Sequence, residues 1–293
     1  MRHRAAERVF HELAEGGTIK TMKNPSRSLI ADTSRSSHSP RSFSGAMRRA
    51  LLIAPLVFPA TAAVTCVGQS TSADSPAVLL FNGSGTSPND AAALESILRE
   101  HRIRYATADS RQLGGMSGPR LRAYRLLIVP GGNFEQMGTG LSTTATANVR
   151  SAVGAGLNYL GICAGAFLAG NSPYNGLNLT SGVRFGFYSA EGRGVRRAAV
   201  DIAIAGSPPL LQYWEDGPQL TGWGDVVAKY PDGTPAIVEG TVGEGWVILT
   251  GTHPEAPESW RNGLVFAAPA AVSRRYAATL IEAGLNRRTL EHY

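Results

Sequence analysis

The chain is poor in the residues from which disulfide frameworks and metal sites are built. Its 293 residues include two cysteines, Cys66 and Cys163, which are too few for a disulfide framework. After residue 50 there are three histidines, His101, His253 and His292, so we expect no metal cluster. No P-loop is present, and no Gly-x-Gly-x-x-Gly follows a predicted strand. We therefore expect a protein without a cofactor.

The net positive charge is confined to the start of the chain. Residues 1–50 hold 10 Lys/Arg and 4 Asp/Glu, which accounts for the whole formal charge of +6. Residues 51–293 hold 18 of each class, with one lysine, Lys229, beside 17 arginines. A body without net charge does not attract phosphates as a whole, so we expect no nucleic-acid partner.

The first part of the chain is predicted to lie outside the folded domain. Residues 1–46 form a basic, serine-rich leader without hydrophobic periodicity, which predicts disorder. The basic Met47-Arg48-Arg49, the apolar residues 50–58 and the small Ala60-Thr61-Ala62 have the layout of a secretory signal, predicted at residues 47–62. The apolar run is too short for a permanent membrane span.

A signal at this position implies that translation starts at Met47 and that the domain is exported, to the periplasm or the medium. Residues 63–75 are predicted to be a linker. Cys66 is an alternative site of lipid attachment, although Thr65 precedes it where lipoproteins carry a small residue.

Residues 76–290 alternate apolar runs with helical patterns, which predicts one α/β domain without internal repeats. The first half has predicted strands at Ala77–Phe81, Ile103–Thr107, Leu126–Val129 and Asn158–Ile162, with helices capped by Asn89 and at 143–155 and 163–169. Such alternation predicts a mainly parallel sheet covered on both faces. Extra strands are predicted at 183–188, 198–204, 225–230, 236–238 and 246–250, before a terminal helix at 270–283.

The segment Gly161-Ile162-Cys163-Ala164-Gly165 connects a predicted strand to a predicted helix. A nucleophile elbow has this pattern, because side chains two residues before and after the nucleophile would collide with the tight turn. The helix start favours the thiolate form of Cys163. The alternative is a small buried cysteine without chemistry.

A second segment supplies a base. His253 and Glu255 directly follow the predicted strand ending at Thr250, and functional groups collect at the carboxyl ends of parallel strands. His253 could take the proton of Cys163, while Glu255 orients the other ring nitrogen. Glycines after the third strand allow the backbone N–H groups of Gly132 and Ala164 to form an oxyanion hole.

In this order these segments resemble the class I glutamine amidotransferase-like superfamily, and within it the amino-terminal domain family of biotin–protein ligases. The resembling segments are Cys163-Ala164-Gly165-Ala166-Phe167, Tyr213-Trp214-Glu215-Asp216-Gly217-Pro218 and Gly251-Thr252-His253-Pro254-Glu255-Ala256-Pro257-Glu258. The resemblance implies a flavodoxin-like three-layer sandwich and a Cys163–His253–Glu255 triad. It also implies chemistry on an amide or related carbonyl.

The substrate is expected to be a small molecule or a peptide. We expect Asn82, Tyr213, Trp214 and Asp216 to contact it; the alternative for the last three is an edge strand ending in a Gly-Pro turn. The intracellular-protease branch of the superfamily typically places a glutamate after the first strand, where it bonds the thiolate. The corresponding loop here, Asn82-Gly83-Ser84-Gly85, has no carboxylate, which argues against that branch. The competing function is a ligand-binding or regulatory module that keeps the fold without turnover.

Overall fold

The computed structural model describes residues 75–293. The leader, the signal, the lipid-attachment alternative at Cys66 and all but the last residue of the linker lie outside the described residues. No helix between residues 75 and 293 is both long enough and apolar enough to cross a membrane.

The strands and helices alternate through the first half of the described chain, and strands dominate the second half. The strands are β1 (Val78–Phe81), β2 (Tyr105–Ala108), β3 (Leu126–Val129), β4 (Asn158–Ile162), β5 (Gly186–Phe187), β6 (Arg197–Ile204), β7 (Leu210–Glu215), β8 (Pro218–Gln219), β9 (Asp225–Lys229), β10 (Pro235–Val242) and β11 (Gly245–Thr250). The helices are α1 (Pro88–Glu100), α2 (Ser110–Gly114), α3 (Gly118–Leu121), α4 (Phe134–Thr139), α5 (Thr143–Gly154), α6 (Ala164–Ala169), α7 (Ser189–Gly192) and α8 (Ala270–Asn286), with a 3₁₀ turn at Glu258–Arg261.

One nine-stranded sheet organises the domain, in the order β2-β1-β3-β4-β11-β10-β9-β6-β7. The pairs β1–β2, β1–β3, β3–β4 and β4–β11 are parallel. These five strands have the flavodoxin-like order 2-1-3-4-5, in which chemistry is expected beyond the carboxyl ends of the strands. The predicted fold class is therefore confirmed.

The remaining four strands extend the sheet in antiparallel fashion, as the predicted extra strands of the second half require. β11 turns back on β10 through Gly243 and Glu244, with Val242 opposite Gly245. The pairs β10–β9, β9–β6 and β6–β7 continue the sheet to its edge.

Each face of the sheet has its own hydrophobic core, which makes three layers. Leu80 faces helices α1 and α8, and its cluster includes Leu94 and Ile281. The neighbouring Leu79 points to the other face, where Val149 of α5 joins the cluster. Alternate residues of β1 thus serve opposite cores, which explains why the strand is apolar throughout.

Several predicted boundaries were wrong. Helix α1 is capped by Ser87 rather than Asn89, because Pro88 occupies the first helical position, where its missing N–H does no harm. The strand predicted at 183–188 shrinks to Gly186–Phe187. Tyr213 and Trp214, which were predicted to contact substrate, lie in β7 at the edge of the sheet. The edge strand was the alternative interpretation of this segment, and it ends before Gly217-Pro218 as that alternative requires.

Candidate active site

Cys163 lies at the sharp turn between β4 and α6. Its φ of 48° and ψ of −103° are rare for a residue with a side chain, so the turn is strained. Hydrogen bonds hold it from both sides: its amide donates to the Thr250 carbonyl at 2.8 Å, and its carbonyl accepts from the Phe167 amide at 3.1 Å. The thiol donates to the Glu215 carbonyl at 3.5 Å, and the residue is 5% exposed.

The glycines beside Cys163 are required by close backbone approach. A Cβ on Gly165 would lie 2.0 Å from the Val129 carbonyl oxygen, and one on Gly161 would lie 2.7 Å from the Gly165 carbonyl. The Tyr159 hydroxyl donates to that same Gly165 carbonyl at 2.7 Å. Strands β3 and β4 and the start of α6 are therefore too close together here for any side chain.

His253 and Glu255 follow β11 as predicted, and they form a buried pair. Nδ1 of His253 lies 2.9 Å from Oε1 of Glu255, and the two residues are 4% and 0% exposed. The His253 amide donates to the Tyr213 carbonyl at 2.8 Å, which fixes the loop against β7. With Nδ1 directed at the carboxylate, Nε2 is the ring nitrogen left for Cys163.

A second carboxylate, which sequence reasoning missed, reaches the same ring nitrogen. Oδ1 of Asp90 lies 3.1 Å from Nδ1 of His253, and Asp90 is 6% exposed. Asp90 belongs to the first turn of α1. It lies beyond the Asn82–Gly85 loop, which has no carboxylate of its own. An aspartate near a helix start is so common a dipole-stabilising residue that its sequence position alone gives no signal.

The buried charges shift one another's protonation. Burial opposes the charged imidazolium, but Cys163, Glu255 and Asp90 together hold the pKa of His253 well above its ordinary value. Burial raises the pKa of Glu255 despite the opposing effect of His253. Burial also acts to raise the pKa of Asp90, yet the combined effect of His253 and Ser87 lowers it. The two carboxyl groups are thus driven in opposite directions.

Gly131 completes the wall beside the histidine. A Cβ there would lie 2.1 Å from Oδ1 of Asp90 and 2.6 Å from Cε1 of His253, so no side chain fits. The next residue, Gly132, is exposed with a φ of 140°. Within residues 75–293 no acceptor is found for the amides of Gly132 or Ala164, the two donors predicted for the oxyanion. That role stays a prediction.

Of the four predicted substrate contacts, Tyr213 lies nearest the histidine. Its ring is 5.9 Å from the His253 ring, and its hydroxyl donates to the Glu215 carboxylate. Burial, with Glu215, raises the pKa of Tyr213 to about 12. Trp260, which the sequence did not single out, stands edge-on to the His253 ring at 5.8 Å.

The other three predicted contacts are less closely tied to the histidine. Trp214 is fully buried in the core, where Nε1 donates to the Gly217 carbonyl at 3.2 Å. Asp216 has a φ of 45° and lies 3.8 Å from the Arg196 guanidinium. Asn82 is exposed at the end of β1. Substrate contact by these residues stays a prediction, and for Trp214 its burial argues against it.

Asp90, His253 and Glu255 also offer three potential metal-ligand atoms, all within 4.8 Å of one another. Both carboxylate oxygens lie at ordinary hydrogen-bond distance from Nδ1. A hydrogen bond between the ring and Glu255 and a close charge contact with Asp90 therefore account for the arrangement, and we do not assign these residues as metal ligands.

Comparisons with known proteins find similar solved structures. Among solved structures, the chain is similar to a glutamine amidotransferase, with 22% identity over 61% of this chain and 90% of that one and a TM-score of 0.48. It is also similar to a Thermoplasma acidophilum protein described as a GMP synthase component, with 12% identity over 71% and 96% of the two chains and a TM-score of 0.41. No curated protein matches the chain.

A family model gives the more specific result. Residues 76–181 match the family described as "Biotin-protein ligase, N terminal". The match includes Cys163 and Asp90 and ends before His253 and Glu255. The resemblance expected from the sequence is thus confirmed: residues 76–181 are similar to the amino-terminal family of biotin–protein ligases.

Proposed function

We propose that this domain is a cysteine-dependent amidase or hydrolase, acting on an amide or related carbonyl of a small molecule or peptide. The observation that carries the proposal is the buried pair of His253 and Glu255, 2.9 Å apart, beside a cysteine held in a strained strand-to-helix turn. A strained nucleophile, a base and an acid that orients the base are the parts of a nucleophilic acyl-transfer site.

In the proposed reaction, Nε2 of His253 takes the proton of Cys163. The thiolate attacks the carbonyl carbon, and the displaced electron pair moves to the carbonyl oxygen, where the amides of Gly132 and Ala164 can donate to it. Collapse of this intermediate breaks the C–N bond as His253 protonates the leaving nitrogen. Water, deprotonated by His253, then hydrolyses the thioester and restores the thiol.

The pH dependence of iodoacetamide labelling at Cys163 tests the proposal. We expect labelling of the wild type to extend well below the range of an ordinary thiol, whose pKa is about 8.5. His253→Ala should return the profile to that range. His101→Ala is the matched control, because His101 lies at the end of α1 and faces Glu282.

The ligand-binding alternative makes the opposite prediction. It is favoured by one observation: Cys163 is only 5% exposed, with its thiol donating to a backbone carbonyl. A labelling profile near that of a free thiol, unchanged by His253→Ala, would reject the activated nucleophile and leave a module that uses the cleft without turnover.

A further inference from the structure

We propose that Asp90 is a second positioning residue of this site, which shares Nδ1 of His253 with Glu255 and balances the charge of the ring. Its part in catalysis depends on the function proposed above. The contact between Asp90 and His253 does not, so the two ideas can be tested separately.

The geometry of Asp90 resembles that of the proposed triad acid. Its Oδ1 is 3.1 Å from Nδ1, against 2.9 Å for Oε1 of Glu255. The Asp90 side chain is 8% exposed, so water does little to screen its charge. Among residues 75–293, Oδ1 makes no hydrogen bond, so its close contact with the His253 ring is the interaction that can offset its burial. A buried carboxylate oxygen without another donor is stable only beside a positive or hydrogen-donating group.

The fold holds Asp90 in this place through a short antiparallel bridge. Thr86 and Gly132 pair there, with the Ser87 amide donating to the Gly131 carbonyl at 3.1 Å. The bridge anchors the start of α1 to the segment after β3. The missing side chain of Gly131 then leaves the space that Oδ1 and the His253 ring occupy.

The simplest other explanation is that Asp90 only stabilises the first turn of α1. An acid in that role interacts with exposed amides at the helix start and stays in water. In α1 the capping group is Ser87, whose hydroxyl accepts from the Asp90 amide. Capping therefore does not require burying the Asp90 carboxylate against a histidine 163 positions further along the sequence.

The positions of the protons show what a second carboxylate would do. When His253 takes the Cys163 proton, the ring becomes positive and no proton leaves the site. Nδ1 keeps its single hydrogen, which can point to one carboxylate while the other interacts with the ring through its charge. Two acids thus stabilise the imidazolium more than one acid could, and they favour the thiolate with it.

The titratable groups facing His253 come from four elements. They are Cys163 after β4, Glu255 in the loop after β11, Asp90 on α1 and the ring of Tyr213 on β7. A permanent cation, Arg274 of α8, donates to the backbone carbonyl of Glu255 at 3.3 Å. None of the other groups places a second full negative charge at Nδ1, so Asp90 is the group to neutralise.

The first measurement is the titration of His253 by NMR in a Cys163→Ala background, which needs no nucleophile. Asp90→Asn should lower the midpoint by about 1–3 pH units, because an opposite charge at this distance shifts a pKa by that much. Asp109→Asn is the matched control: Asp109 is an exposed aspartate that caps α2. Asp90→Glu, which keeps the charge, should restore at least part of the shift.

The second measurement is Cys163 labelling with iodoacetamide in the otherwise native protein. Asp90→Asn should move the profile to higher pH, as Glu255→Gln should, while Asp109→Asn should leave it in place. A merely structural role would leave both midpoints where they are, even if the protein became less stable. If Asp90→Asn does not fold, Asp90→Ala removes the same charge and replaces it in both measurements.

The outcomes separate the two proposals. If Asp90→Asn leaves the His253 midpoint at the value of the Asp109→Asn control while Glu255→Gln moves it, Asp90 is not a positioning residue. If Asp90→Asn moves the His253 midpoint but wild-type Cys163 labels as an ordinary thiol, the carboxylate pair stands and the cysteine-dependent chemistry fails.

Discussion

At the scale of single residues, the site depends on how closely the backbone packs around Cys163. The carbonyl of Val129 lies where the Cβ of residue 165 would be, and the peptide at residue 165 closes in on Gly161 in the same way. Val129 belongs to the central strand β3 and Gly165 to the start of α6, so neither backbone segment can move independently. The turn therefore accepts a side chain at residue 163 but only glycine at residues 161 and 165.

We expect Gly165→Ala to lower the free energy of unfolding by about 1–3 kcal/mol, because a Cβ 2.0 Å from a carbonyl oxygen forces the backbone apart. Urea unfolding followed by circular dichroism measures the change. Gly192→Ala is the control: a Cβ at this exposed helical position meets no atom within 4 Å. Equal stability of the two variants would mean that the turn is looser than the close approach implies.

The sequence predicted Cys163, His253 and Glu255 because a nucleophile between glycines and a histidine at a strand end leave local patterns. Asp90 leaves no such pattern. Its partner is 163 positions away, and only the bridge between Thr86 and Gly132 brings the two together. Trp260 was missed for a similar reason, since a 3₁₀ turn of four residues has no periodicity.

At the scale of elements, Asn158 ties three segments together at the end of the sheet opposite the site. Its Nδ2 donates to the Gly284 carbonyl of α8 at 2.7 Å. Its Oδ1 accepts from the amide of Trp246 and from Nε of Arg287, both at 3.0 Å. Asn158 is 3% exposed, so the buried Gly284 carbonyl would lose a bond that water cannot easily replace, whereas the exposed Arg287 can turn to solvent.

Asn158→Ala should therefore destabilise the domain by about 1–3 kcal/mol for each partner left buried and unpaired. Because Asn158 begins β4 and Cys163 follows its end, the labelling profile of Cys163 should not change in the folded protein. Unfolding in urea and iodoacetamide labelling test the two parts separately. The exposed Asn171, whose side chain makes one 3.3 Å bond to Gly182, supplies the control as Asn171→Ala. A loss no greater than the control's would show that Asn158 is not a structural clamp.

At this scale, strands of the parallel half were easier to predict from the sequence than the antiparallel edge strand. The strands β1, β3 and β4 are short, fully buried runs in which apolar residues predominate, so their positions can be read locally. The segment 210–215 was harder, because β7 is an edge strand in which three consecutive buried residues, Gln212 to Trp214, mix polar and apolar side chains. Its contact with the site, between Tyr213 and His253, arises only when the antiparallel strands fold back toward β11.

At the scale of the whole molecule, two carboxyl groups with shifted pKa values lie in the interior of the domain. Asp90 and Glu255 are buried at one histidine, where the folded state changes their affinity for protons. Such shifts link the chemistry of the site to the stability of the entire fold, since the unfolded chain has ordinary pKa values. The site can therefore be examined through global unfolding even before a substrate is known.

The pKa of Asp90 is lowered in the folded protein from its ordinary value of 3.8. The ionised carboxylate therefore contributes stability above about pH 4, and this contribution is lost as the pH falls through the lower, folded-state pKa. The difference in unfolding free energy between wild type and Asp90→Asn should be nearly constant from about pH 5 to 7. Below about pH 4 it should shrink by at most about 1.4 kcal/mol per pH unit, the limit for one proton. Urea unfolding at a series of pH values gives this difference directly. A difference that stays constant to about pH 2.5, or that grows in acid, would contradict a carboxylate stabilised by His253.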